Sequence, residues 1–155
     1  MRIERIFTVF FMVFGLCYSA FAQLGESRSE FERLYGSAIH TAGNVSVYGD
    51  GKYAVLVQYE NGRAIEVAYS KAEKKVTHGN DSSNRTVQLN RMEMESLLLK
   101  NRGAGIWKHL DFTPPASMAE YKHFWFNAAS KTYAYYNSEN KILYFTPKQP
   151  FGLSQ

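Results

Sequence analysis

Apolar and polar positions alternate most clearly in two runs, Tyr53–Tyr59 and Ala64–Ser70, which flank Glu60-Asn61-Gly62-Arg63. Asn-Gly between two β-rich runs predicts a tight hairpin, because both central residues of a type I′ turn need positive φ. Pairing Glu60 with Arg63 puts Ile65, Val67 and Tyr69 on one face with Ala54 and Leu56. The other face receives Tyr53, Val55, Val57 and Tyr59 beside Ala64, Glu66 and Ala68, and Glu66 among small neighbours marks it as open to solvent. The stretch Tyr121–Thr146 splits at Ala128–Lys131 and Asn137–Asn140 into three aromatic runs, which read as an antiparallel meander. With even-numbered loops, Phe124, Phe126, Tyr133, Tyr135, Ile142 and Tyr144 share one face. His123, Trp125, Ala134, Tyr136, Leu143 and Phe145 share the other, and a one-residue slip would exchange partners.

Helical periodicity occurs twice. Ser27 and Ser29 are N-cap candidates, Ser29 with Glu32 has capping-box spacing, and Phe31, Leu34 and Tyr35 form a stripe that Gly36 ends. This predicts a helix over 29–35. Asn90 with Glu93 caps a second helix over 91–101, with Met92, Leu97 and Leu98 as its stripe, Met94 as a further candidate member and Gly103 as its stop. Val45–Tyr48 is a short strand candidate, Gly49-Asp50-Gly51 a turn, and Lys71 to Arg85 a polar loop. Ala104 to Ala119 contains Pro114-Pro115 and reads as an ordered connection held to the core by Trp107. The expected fold is α+β: two helices on one face of an antiparallel sheet of five or six strands. Related lettering in 27–70 and 90–146 suggests a tandem duplication of a helix followed by a β-meander, with chance similarity as the alternative.

Composition changes the frame of this reading. Arg2 and Arg5, the apolar run Ile6–Leu16 and the small residues of Ala20-Phe21-Ala22 predict a signal peptide over 1–22, cleaved after Ala22. The apolar run is shorter than the ~20 residues of a spanning helix, so a retained anchor is disfavoured and no stable membrane span is expected after cleavage. Cys17 follows Leu16, not the small residue of a lipoprotein box. It is the chain's one cysteine, so residues 23–155, expected as a single domain, must be held by packing rather than disulfides. The expected location is secreted or periplasmic. The sequons at Asn44, Asn80 and Asn84 matter only in a eukaryotic secretory pathway; in a bacterium, the setting favoured by the lack of cysteines in residues 23–155, they are chance matches. The chain has 18 basic and 14 acidic side chains. Taking away Arg2, Arg5 and Glu4 with the leader leaves a net +3, too diffuse for a nucleic-acid groove.

Candidate chemistry is sparse. His40, His78, His109 and His123 show no metal-ligand spacing, there is no Gly-x-Ser-x-Gly elbow, and Glu93 and Glu95 point in different directions on their helix. Gly103-Ala104-Gly105 opens no helix and so is no phosphate cradle. No catalytic residue, metal or cofactor is expected. The aromatic excess points instead to recognition: Trp125, Tyr136, Tyr53 and Tyr59, with His123, are the candidate binding residues on an open sheet face. The competing reading makes Trp125 and Tyr136 core. The partner expected is a protein, a glycan or another cell-envelope component. The alternative function is a small periplasmic enzyme with a site at the helix–sheet edge near His109 and His123.

This order of capped helices and turn-punctuated β runs resembles, in topology, small exported bacterial domains with helices on one side of an antiparallel sheet. The β-lactamase-inhibitor protein family and the outer-membrane assembly lipoprotein BamE family are examples. The resemblance implies a protein-binding sheet face without an active site. No motif carries it, and residues 23–155 lack the cysteines of the inhibitor family's repeats.

Overall fold

The computed structural model describes residues 23–71 and 86–150. Helix α1 (Arg28–Tyr35) leads into β1 (His40–Ala42), β2 (Val45–Gly49), β3 (Tyr53–Glu60) and β4 (Arg63–Lys71). Helix α2 (Arg91–Lys100) leads into β5 (Trp107–Leu110), β6 (Tyr121–Asn127), β7 (Thr132–Asn137) and β8 (Ile142–Thr146), with a 3-10 turn at Ala116–Met118. All eight strands form one antiparallel sheet in the order β1-β2-β3-β4-β8-β7-β6-β5. Each half is therefore a helix followed by a four-stranded meander, and the halves meet through their last strands.

The expectation of five or six strands is corrected to eight. The two unanticipated strands, β1 and β5, are the outer edges of the sheet. An edge strand is paired on one side only, and here it lacks a buried apolar alternation: all three residues of β1 are exposed. In β5, Lys108 and His109 are both exposed. The prolines that argued against a strand begin at Pro114, after β5 has ended. The expected leader, and all of the expected polar loop except its first residue, lie outside the described residues.

Local chemistry accounts for the helix ends. Ser27, not Ser29, caps α1, in a reciprocal box with Glu30, and Gly36 ends it at φ 81°. Asn90 and Glu93 cap α2 in the same way. That helix stops at Asn101, two residues before Gly103, because the Asn101 side chain donates to the Leu97 carbonyl at 2.9 Å. The Glu93 carboxylate also takes Lys71 at 2.8 Å and Lys52 at 3.2 Å, tying α2 to the sheet.

Both helices press on one face of the sheet. Phe31 of α1 stacks on Tyr48 at 5.7 Å and meets Tyr59 edge-on at 6.0 Å. Met94, Leu97 and Leu98 of α2 join Val55, Val57, Val67, Tyr69, Tyr136, Leu143 and Phe145 in the same core. Each fully buried large apolar side chain contributes about 1.5–3 kcal/mol. The hydroxyl of Tyr69 donates to Gln23, receives the Asn101 amide at 3.2 Å, and lies 3.3 Å from the Tyr35 hydroxyl.

The expected faces need correction in both halves. The Asn61-Gly62 turn has φ of 50° and 74°, and Glu60 pairs with Arg63 and Tyr59 with Ala64 as anticipated. A bulge then inserts Ile65, so that Gln58 pairs with Glu66 and Val57 with Val67. That one residue moves Tyr53, Val55, Val57 and Tyr59 from the company of Glu66 to that of Val67 and Tyr69, under the helices. In β6–β8 the two side-chain sets are those expected apart from His123, which a bulge takes out of the alternation, but inside and outside are exchanged. Trp125, Ala134, Tyr136, Leu143 and Phe145 face the helices. Phe124, Phe126, Tyr133, Tyr135 and Tyr144 face away from them.

Candidate binding face and helix-edge groove

The face of β6, β7 and β8 opposite the two described helices carries a ladder of rings. Tyr121 meets Tyr135 edge-on at 5.7 Å, and Tyr135 stacks on Tyr144 at 5.1 Å and 16°. Phe126 lies 4.7 Å from Tyr133, and Phe112 closes edge-on over Phe124 at 5.0 Å. Cross-strand pairing builds this ladder, since Phe124 opposes Tyr135 and Tyr135 opposes Tyr144. Tyr121, Phe126, Tyr135 and Tyr144 are half-buried, so each keeps part of its ring at the surface. Hairpin loops fix the register: Asn127 accepts from the amides of Ala129 and Ser130, and Asn137 from those of Glu139 and Asn140.

Glu66 lies on the same face, half-buried. Burial pushes its carboxyl up, and Lys148 partly offsets this. The phenols of Tyr135 and Tyr144 are raised first by burial and then by the Glu66 charge. They therefore stay protonated at neutral pH and can donate as well as accept.

The first half offers a different open surface. There Val45 and Val47 of β2 oppose Gln58 and Leu56 of β3, with no aromatic ring among them.

A groove runs where α2 overhangs β5 and β6. One part, about 330 Å³, lies among Leu98, Leu99, Arg102, Ile106, Trp107 and Trp125. An adjoining part of about 470 Å³ lies among Arg91, Met94, Glu95, His109, His123 and Trp125. Trp107 holds the wall: its Nε1 donates to the Leu98 carbonyl at 2.6 Å and its ring meets Phe145 at 5.6 Å. Gly105 is required beside it, because a Cβ there would collide with Asn127, whose amide donates to the Arg102 carbonyl at 2.6 Å.

Of the predicted site residues, Trp125 and His123 meet in this groove with His109. The two histidine rings lie 6.2 Å apart, and Trp125 is 5.9 Å from His123 and 5.7 Å from His109. His123 is the extra residue of a bulge and has φ 55°, which turns it out of the strand's alternation. Burial, then His109, Lys122 and Arg91, lower its pKa. Tyr136, Tyr59 and Tyr53 are not brought there or to any open face. Tyr136 is buried with its hydroxyl accepting from the Leu89 amide at 3.3 Å, and Tyr59 is buried against the Tyr48 hydroxyl at 3.0 Å. Tyr53 is half-buried, packed edge-on against Tyr69 at 6.3 Å.

Glu95 lines the groove but pairs with Arg91 at 2.8 Å. His109 has its nearest ion-pair carboxylate in the exposed Asp111, at 3.9 Å. The lining residues include no hydroxyl or thiol nucleophile. Among the described residues, no three His, Cys, Asp or Glu side chains are placed to hold a metal ion. None of the described helices is long and apolar enough to cross a membrane.

Phe124, Phe126, Tyr133, Tyr135 and Tyr144 of the ladder were legible as residues sharing one face, but Tyr121 and Phe112 were not, and the face was missed as a surface because both faces of the meander carry aromatic rings. No family model, curated protein or solved structure matches the chain.

Proposed function

We propose that this is a non-catalytic binding protein of the secreted or periplasmic space, of the inhibitor or envelope-assembly type. Its partner is a protein received on the open face of β6–β8. The observation that carries the reading is the row Tyr121–Tyr135–Tyr144, in ring contact across three strands on the side of the sheet opposite the two described helices. Such rings suit recognition. They are held rigid by their neighbours, so binding orders little, and each presents a broad apolar surface with a polar tip. The leader-like segment at residues 1–22 supports the compartment. The duplicated order of helix and meander supports a scaffold on which one half carries the contact and the other completes the sheet.

The test is a cross-linking capture from native envelope extract with the wild type and with Tyr135→Ser and Tyr144→Ser. Specific partners should be lost with both variants, each of which should melt as a folded domain. Retention of the same captured proteins at the same yield would refute the assignment. A Leu56→Ser control, on the open face of the other half, should leave capture unchanged.

A further inference from the structure

The helix-edge groove carries chemistry that the aromatic face does not use. Strand β5 ends the sheet, so its outer backbone N–H and C=O groups have no strand partner among the described residues. Two of the most exposed large apolar side chains flank this edge: Ile106 is 79% exposed and Leu99 61%. Trp125 forms the floor between them. The charge around the edge is mainly positive. Arg91, Arg102, Lys108 and Lys122 surround it against Glu95 and Asp111, and Glu95 is already engaged by Arg91.

We propose that β5 and the groove beside it form a docking site for an extended, acidic segment of a partner protein. The segment pairs with β5 as a ninth strand, seats an apolar side chain between Leu99, Ile106 and Trp125, and turns its alternate, acidic side chains to the other side of the sheet, toward Lys108.

Main-chain pairing to a free edge supplies orientation, and a pocket for alternate side chains supplies choice of sequence. The basic rim selects the sign of the partner. It repels a second copy of the same edge, which would bring Lys108 and Arg102 against their like, and it attracts Glu- or Asp-bearing strands. At the other end of the sheet, β1 is shorter, with three residues to the four of β5, and all three are exposed. This inference goes beyond the aromatic ladder: it rests on the β5 edge and its groove, with only Lys108, opposite Phe126, on the ladder's side of the sheet.

The test uses the full folded protein and a panel of short blocked peptides in which Glu alternates with Val, Leu or Phe, each with a Lys-for-Glu counterpart. Binding is followed by tryptophan fluorescence and by amide exchange. At least one Glu peptide should bind saturably, slow exchange at Lys108 to Leu110, and lose affinity by about tenfold or more with Lys108→Glu or in high salt. Lys108 and Ile106 are exposed, so Lys108→Glu and Ile106→Asp should fold normally, and Ile106→Asp should weaken the same peptide. Four results would each overturn the proposal. These are no saturable binding by any Glu peptide, equal binding by the Lys counterparts, protection at β1 instead of β5, and a concentration-dependent dimer that the peptide dissociates.

Discussion

The two faces of the β6–β8 meander are built from the same kinds of residue and do different work. Under the helices, Leu143 and Phe145 are fully buried, and the buried Tyr136 sets its hydroxyl against a backbone amide. On the other side, away from both described helices, Tyr135 and Tyr144 lean on one another and Tyr135 on Tyr121. What separates core from surface here is which side the helices take. The composition of a strand face does not record that choice.

The largest expected effect tests this contrast directly. Phe145→Ala should cost about 3–5 kcal/mol of folding free energy, since it leaves a cavity among Tyr69 and Trp107. Phe126→Ala, on the open face, should cost roughly 1 kcal/mol, mostly its ring contact with Tyr133. Urea titrations of the two variants give the comparison, and equal losses would mean the open face is packed like the core.

A second pair concerns hydroxyls. Tyr69→Phe takes the donor from the Gln23 carbonyl oxygen and one acceptor from the Asn101 amide, and should cost about 1–3 kcal/mol. Tyr144→Phe, on the open face, should stay within about 0.5 kcal/mol of wild type. Thermal melts suffice to measure both.

Two carboxylates sharpen the comparison in acid. Glu93, on the helical side, is held down to about 2 by the Lys71 ion pair and the Asn90 amide. Its folded pKa is depressed, so its stabilisation is present above the ordinary carboxylate range near 4 and is lost as pH falls toward 2. Melting temperature should fall across that window, and Glu93→Gln should flatten the fall while lowering stability at neutral pH. Glu66, on the open face, is shifted upward by burial, so the sign reverses. Its ionisation above the ordinary range costs the folded state a little, and Glu66→Gln should raise the melting temperature slightly at neutral pH. A destabilised Glu66→Gln protein would mean that the charge is held by a favourable contact.

Much of the fold was legible in the sequence. The Asn90–Glu93 cap, the Asn61-Gly62 turn and the even hairpin loops at 128–131 and 138–141 all rest on short-range chemistry that the residues themselves declare. Two things were not. Edge strands β1 and β5 bury too little to leave an alternating pattern. The Ile65 bulge is a one-residue event with no local signature, yet it decides which face Tyr53 and Tyr59 occupy. The candidate site suffered from the second of these. Trp125 and His123 were legible as groove residues only once α2 was laid over β5 and β6, a tertiary contact that no spacing encodes.

The seam between β4 and β8 has a consequence for how the chain finds its fold. Every other strand pair joins sequence neighbours, so each meander closes through short loops. The seam joins Val67 to Phe145 and Tyr69 to Leu143, residues far apart along the chain. The entropic cost of long-range closure is thus concentrated in one pairing, made once both halves have a strand to offer. The folding rate should therefore be governed by the side chains that meet at this line, and the speed of assembly written into four residue pairs near the middle of the sheet.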